Sequence, residues 1–90
     1  MKKWSDIKEN ITALSKEEKY TLNFMSDVVS KIIIARNEKN ISQRDLAKLT
    51  EIEQSTIARI ETMKTIPRID TLIKILDVLD MQIQTIQKVS

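Results

Sequence analysis

The sequence predicts an all-α fold, a compact bundle of helices. Three observations support it: the chain has no glycine and a single proline, aliphatic residues recur at helical spacings of three and four, and capping signatures precede the apolar stretches. Ninety residues suffice for one small domain. We expect an N-terminal amphipathic helical arm over 1–26, a helical domain over 27–80 and a short C-terminal strand or tail over 81–90.

The composition excludes several classes of functional site. Without Cys or His, the chain has no disulfide scaffold, zinc finger or thiol nucleophile. Without Gly it has neither a P-loop nor a dinucleotide fingerprint. The remaining acid–base groups are carboxylates, lysines and Tyr20, a poor set for catalysis near neutral pH. We therefore predict a binding module without a cofactor or metal, not an enzyme.

The sequence carries no signal for export or membrane insertion. Its first three residues resemble the basic start of a signal peptide, but Asp6 and Lys8 interrupt any apolar stretch. The longest aliphatic run covers residues 32–35, far short of the roughly 20 residues that a membrane helix needs. We expect a soluble cytoplasmic protein that does not contact a membrane.

Two helices are predicted before residue 40. The apolar residues of a short first helix share one face: Trp4, Ile7, Ile11 and Leu14. Ser15 and Glu18 then form a capping box, which predicts a long helix from about 16 to 38. Its apolar positions are Leu22, Met25, Val29, Ile32 and Ile33.

Three shorter helices are predicted after residue 40. Ser42 and Asp45 cap a helix over about 43–50, and a second helix covers about 54–62. Pro67 precedes a third, which runs from about 68 or 69 to 79. The inward residues of the first two are Leu46, Ala47, Leu49, Ile57 and Ile60. Because a three-residue turn forces these two helices to cross steeply, the pattern indicates a helix-turn-helix.

Four blocks within residues 28–80 resemble the Cro/C1-type (XRE) helix-turn-helix domains, which have a lambda-repressor-like fold. The blocks cover residues 34–36, 42–47, 54–61 and 67–72. The resemblance implies a structural ion pair between Arg36 and Glu61, which would lock the long helix against the helix over 54–62. Glu51 and Met63 replace two common glycines, and a positive φ there would cost on the order of 1 kcal/mol.

The resemblance also implies binding to an operator in double-stranded DNA, with the helix over 54–62 in the major groove. The residues expected to face the bases are Gln54, Ser55 and Arg59, with Thr56 beside them. Those expected to contact the DNA backbone are Gln43, Arg44, Lys64, Thr65 and Arg68. Residues 41–68 carry five positive and four negative charges. Because this balance is nearly neutral, we expect modest affinity from a monomer and reliance on a dimer.

The last helix and the tail suggest a homodimer. One apolar stripe should close the core: Ile69, Leu72, Ile73, Leu76 and Leu79. Residues 81–87 alternate in part between polar and apolar, as a short edge strand does. We expect Ile75, Val78 and Ile83 to meet a second copy. In the alternatives, the strand pairs with another protein, or the tail is a frayed helical extension.

The arm distinguishes between possible functions. About 25 residues precede the domain and contain every aromatic residue: Trp4, Tyr20 and Phe24. This arrangement resembles HigA-type antitoxins of type II toxin–antitoxin modules. The resemblance implies that the chain neutralises a HigB-type ribonuclease toxin by direct binding and represses its own operon. The expected toxin contacts are Trp4, Ile7, Ile11 and Tyr20.

Other interpretations of the same features are open. In one, the arm packs on the chain's own core, although packed residues can still leave a partner surface outside. In a second, the protein is a stand-alone XRE-family repressor of phage or mobile-element type. In another, the chain is a helix-turn-helix adaptor that binds protein only, since Glu51 and Glu53 would lie near the expected DNA phosphates.

Overall fold

The described residues, 14–85 and 87 of a computed structural model, form four helices. They are α1 (Lys16–Glu38), α2 (Gln43–Thr50), α3 (Gln54–Glu61) and α4 (Ile69–Val78). These bounds confirm the four predicted helices to within one residue. The short arm helix and its expected toxin contacts Trp4, Ile7 and Ile11 lie outside the described residues. None of the four helices is long and apolar enough to cross a membrane.

Side-chain caps define the starts of α1 and α2, as predicted. The Ser15 hydroxyl accepts a hydrogen bond from the Glu18 N–H at 3.1 Å. Ser42 and Asp45 form a reciprocal capping box, with distances of 3.0 and 3.2 Å. The backbone N–H of Ser42 donates to the Asp45 carboxylate and so lowers the pKa of that group. By contrast, Glu53 precedes α3 without a side-chain cap.

The core lies where the second half of α1 meets the three short helices. α3 packs against both α1 and α2, and α2 also packs against α4. The buried apolar residues form one cluster: Leu14, Met25, Val29, Ile32, Leu46, Ile57, Ile60, Leu72, Ile75, Leu76 and Leu79. Because all four helices contribute to this cluster, it fixes the orientation of α3 relative to the rest of the domain.

The inward face of α4 differs from the predicted stripe. Ile75 is 1% exposed and belongs to the core, whereas Ile69 is 65% and Ile73 47% exposed. Both flanks of the Leu72–Leu76 line are apolar, so periodicity did not determine which flank is packed. In the structure, the flank of α4 that carries Ile75 packs into the core. The assignment of Ile75 to a dimer surface is therefore wrong, and Ile69 and Ile73 take the exposed position.

α2 shows a similar correction. Leu49, predicted to point inward, is 59% exposed, and Thr50 is buried in its place. The Thr50 hydroxyl donates a hydrogen bond to the carbonyl of Leu46 at 2.6 Å. Because this bond satisfies the hydroxyl within its own helix, a threonine is tolerated at a core position.

The tail follows α4 without regular secondary structure. The backbone N–H of Met81 donates to the carbonyl of Leu76 at 2.8 Å, which closes the end of α4. Met81 and Ile83 pack against the core, while Gln82 and Gln84 are exposed. Residues 14–85 contain no β-strand, so the strand predicted over 81–87 is not confirmed.

Each helix is followed by a residue with left-handed backbone, although the chain has no glycine. These residues are Asn40, Glu51, Met63 and Asp80, with φ between 55° and 59°. Asn and Asp tolerate this conformation, whereas Glu and Met bear the full clash of their Cβ atoms. The turns at Glu51 and Met63 therefore have the expected helix-turn-helix backbone and are strained.

Replacing these two residues with glycine should stabilise the fold. We expect Glu51→Gly to raise the free energy of unfolding by about 1 kcal/mol, because glycine has no Cβ to clash at positive φ. Met63→Gly should raise it less, since the Met63 side chain also packs against the core. Urea denaturation measures the change. Lys48→Gly, inside α2, is the matched control and should lower stability by about 1 kcal/mol. A loss in all three variants would show that the turns are not strained.

Candidate nucleic-acid interface

A buried ion pair fixes α3 against α1. Nε and Nη2 of Arg36 donate to the two carboxylate oxygens of Glu61, each at 2.9 Å. The side chains are 13% and 5% exposed, respectively. A guanidinium and a carboxylate in this two-bond geometry hold their relative orientation as well as their distance. The predicted pair therefore forms, and it joins the last turn of α1 to the last residue of α3.

Two further hydrogen bonds extend this ion pair to the start of α2. Nη1 of Arg36 donates to the carbonyl of Ile41 at 2.9 Å, and Nε2 of Gln43 donates to Glu61 Oε1 at 3.1 Å. The sequence had suggested a phosphate contact for Gln43, and nothing in its spacing indicated Glu61 as a neighbour. The contact exists because α2 and α3 cross, which brings the first residue of one helix to the last residue of the other.

The outer face of α3 is polar and exposed. Ile57 and Ile60 point into the core, so the opposite face carries Gln54, Ser55 and Arg59 at the surface. Within the described part of the chain, these three side chains make no hydrogen bond or ion pair. Thr56, which the sequence placed beside them, is half-buried. The structure therefore presents three of the predicted base-reading side chains together on one helix face.

Basic residues lie on the elements around α3. Arg44 follows the start of α2, Lys64 follows α3, and Arg68 precedes α4, all exposed. Arg68 Nε lies 3.4 Å from Asp70 Oδ1, but both side chains are largely exposed, so this contact binds Arg68 weakly. Arg59 and Arg68 also line one shallow groove between α3 and α4, together with Thr56, Ile60, Thr65, Pro67 and Thr71.

The charge of this surface is more positive than the sequence count suggested. Of the four acidic residues in 41–68, Glu61 is buried against Arg36 from outside that range. Without Glu61, residues 41–68 carry five basic residues and three acidic ones, which are Asp45, Glu51 and Glu53. Asp45 is itself engaged in the cap of α2. The remaining excess is small, so the surface attracts a polyanion moderately.

No group of carboxylates within residues 14–85 has the geometry to hold a metal ion. What the arrangement offers instead is an exposed helix face with a glutamine, a serine and an arginine, flanked by basic side chains. Glutamine and arginine are side chains that hydrogen-bond adenine and guanine edges in a bidentate way. This surface therefore carries side chains of the types that hydrogen-bond to base edges and phosphates.

Known proteins resemble this chain in sequence and in fold. A family model described as helix-turn-helix (HTH_3) matches residues 32–86. An uncharacterized HTH-type transcriptional regulator from Haemophilus influenzae is 33% identical over 73 residues, which cover 81% of this chain and 72% of that protein. A solved structure described as a toxin–antitoxin module from Streptococcus pneumoniae has a TM-score of 0.69 and 35% identity. The matched region covers 98% of this chain and 96% of that chain.

Removing the cation of the buried pair should destabilise the domain strongly. We expect Arg36→Met to lower the free energy of unfolding by about 3 kcal/mol, because it leaves the Glu61 carboxylate buried without its partner. The measurement is urea denaturation.

Lys31→Met is the matched control. It breaks the Lys31–Asp27 pair, which has a similar distance of 3.0 Å but is 63% exposed on both sides. Its loss should stay below about 0.5 kcal/mol. Equal losses in the two variants would contradict the structural role of the buried pair.

Proposed function

Because residues 32–86 make this chain a member of the HTH_3 helix-turn-helix family, we propose that it is a DNA-binding antitoxin. In this proposal it recognises an operator in double-stranded DNA and represses its own operon. It also neutralises a HigB-type ribonuclease toxin by direct binding. The observation that carries the proposal is the exposed polar face of α3, held in place by the buried Arg36–Glu61 pair.

The DNA-binding part rests on which groups α3 leaves exposed. Gln54 and Ser55 occupy its first turn, and Arg59 lies about one turn further along the same face. A recognition helix that enters the major groove with its N-terminal end presents these positions to base edges. Arg44, Lys64 and Arg68 would then contact phosphates on either side of the groove. Thr56 is half-buried, so in this proposal it supports the helix and does not contact a base.

The antitoxin part rests on the arm and on the solved neighbour. The Streptococcus pneumoniae structure is described as a toxin–antitoxin module and matches nearly the whole of this chain. Tyr20 and Phe24, one turn apart on α1, are exposed large aromatic residues. Exposed aromatic side chains on one face of a helix suit docking into a groove of a partner protein. Trp4, Ile7 and Ile11 would extend this contact.

We propose that the active form is a homodimer. A surface with so small an excess of positive charge gives limited affinity to one copy, and two copies on adjacent half-sites would compensate. Val78 and Ile83 are half-buried in one copy, and a second copy would cover their exposed parts. Ile69 and Ile73, exposed one turn apart on α4, add apolar area that a partner could cover.

A stand-alone transcriptional repressor is the second candidate function. The Haemophilus influenzae relative, described only as an HTH-type transcriptional regulator, favours it. Both candidates use the same face of α3, so DNA binding does not distinguish them. Binding to a toxin does.

Removing two of the proposed base-contacting side chains should weaken specific DNA binding. We expect Gln54→Ala combined with Arg59→Ala to weaken binding at least about 30-fold, because each bidentate contact contributes roughly 1–3 kcal/mol. Fluorescence anisotropy with a duplex from directly upstream of the gene measures the affinity. Lys31→Ala with Gln84→Ala is the control, since both residues are exposed and lie outside α3. Unchanged specific binding by the α3 variant would remove this assignment.

Replacing the exposed aromatic pair should weaken toxin binding. The neighbouring gene's product is co-expressed with the tagged chain and co-purification is quantified. We expect the wild type to retain a small basic protein, and Tyr20→Ala with Phe24→Ala to retain much less, because the contact loses its largest apolar side chains. Ile34→Ala, at another exposed apolar position of α1, should behave as the wild type. If the wild type retains no partner, the stand-alone repressor is the better account.

A further inference from the structure

Glu61 is surrounded by hydrogen-bond donors. Its Oε2 accepts from Arg36 Nε, and its Oε1 accepts from both Arg36 Nη2 and Gln43 Nε2, at 2.9, 2.9 and 3.1 Å. Its side chain is 5% exposed, so the protein supplies these bonds in place of water. A carboxylate paired with a guanidinium has only accepting atoms. Any side chain that meets it in hydrogen-bond contact must present a donor.

This requirement fixes the orientation of the Gln43 amide. A glutamine side chain ends in an oxygen that accepts hydrogen bonds and a nitrogen that donates them. Beside a neutral polar group that can both donate and accept, either of the two flipped orientations of the amide often forms a hydrogen bond. Beside Glu61, only the arrangement with Nε2 toward the carboxylate forms a bond. One N–H of Nε2 is then used, and the second N–H remains. Gln43 is the first residue of α2 and is only half-buried, so part of this residue is exposed to solvent.

We propose that Glu61 is a positioning residue for DNA binding, which holds the Gln43 amide so that its second N–H meets a backbone phosphate. This inference rests on the proposed function. A phosphate oxygen accepts hydrogen bonds, so a reversed amide would turn its own oxygen toward an anion and lose the contact. Glu61 is buried and acts on the DNA through Gln43. The ion pair with Arg36 keeps the carboxylate where this orientation needs it.

The first experiment tests the orientation in the full chain without DNA. NMR spectra resolve the side-chain NH2 protons of each glutamine. We expect one Gln43 proton to exchange slowly and to show a contact with an Nη2 proton of Arg36, because both groups donate to Glu61 Oε1. Gln82, which is exposed in the tail, provides the reference for a solvated amide. Gln43 protons that match those of Gln82 would overturn the positioning role, and this measurement needs no variant to fold.

The second experiment tests the consequence for DNA. Affinity for the upstream duplex is measured for the wild type, Glu61→Gln, Gln43→Met and the double variant, with circular dichroism to verify folding. We expect Glu61→Gln to weaken binding about tenfold in the wild-type background, the effect of one lost hydrogen bond. In the Gln43→Met background the loss should fall below about twofold, since the two changes act through one contact.

Two other results would overturn the proposal, and they differ. An equal loss from Glu61→Gln in both backgrounds would mean that Glu61 acts through the fold alone, and the proposed DNA binding would stand. A wild type that binds the upstream duplex no better than an unrelated duplex would remove the proposed function and this role with it.

Discussion

The buried pair of Arg36 and Glu61 is the interaction on which the rest of the structure depends. A carboxylate that is 5% exposed is stable only where donors replace its water, and here Arg36 supplies two of them. The pair connects the end of α1 to the end of α3, and Gln43 connects both to the start of α2. The same constraint that closes the domain also determines which face of α3 remains outside.

The turns show how a chain without glycine builds steeply crossed helices. Glu51 and Met63 adopt positive φ in the turns that follow α2 and α3, where a glycine would fit without strain. The buried side chains Leu46, Ile57 and Ile60 stabilise the packing that imposes these turns. Burial of one such side chain contributes roughly 1.5–3 kcal/mol, which exceeds the cost of one strained turn. Core packing therefore determines the backbone conformation of these two turns, against the local conformational preference of Glu51 and Met63.

Much of the fold was predictable from local signals, and the misassignments share one cause. Capping serines and the position of Pro67 act on neighbouring residues, so helix bounds follow from short stretches of sequence. The side of α4 that packs inward does not follow from local sequence, because Ile73 and Ile75 are equally apolar and only the neighbouring helices distinguish them. Leu49 and Thr50 illustrate the same limit. The Gln43–Glu61 contact spans 18 residues and exists only once α2 and α3 cross, so no local pattern indicates it.

The most direct test of the account is an NMR titration of the full chain with a duplex from upstream of its gene. If α3 reads DNA from the orientation that the buried pair fixes, the largest shift changes should fall on Gln54, Ser55 and Arg59. The Arg36 Nε proton should keep its shift, because the pair does not open. Changes centred on the first half of α1 or on the tail, with α3 unaffected, would contradict the account.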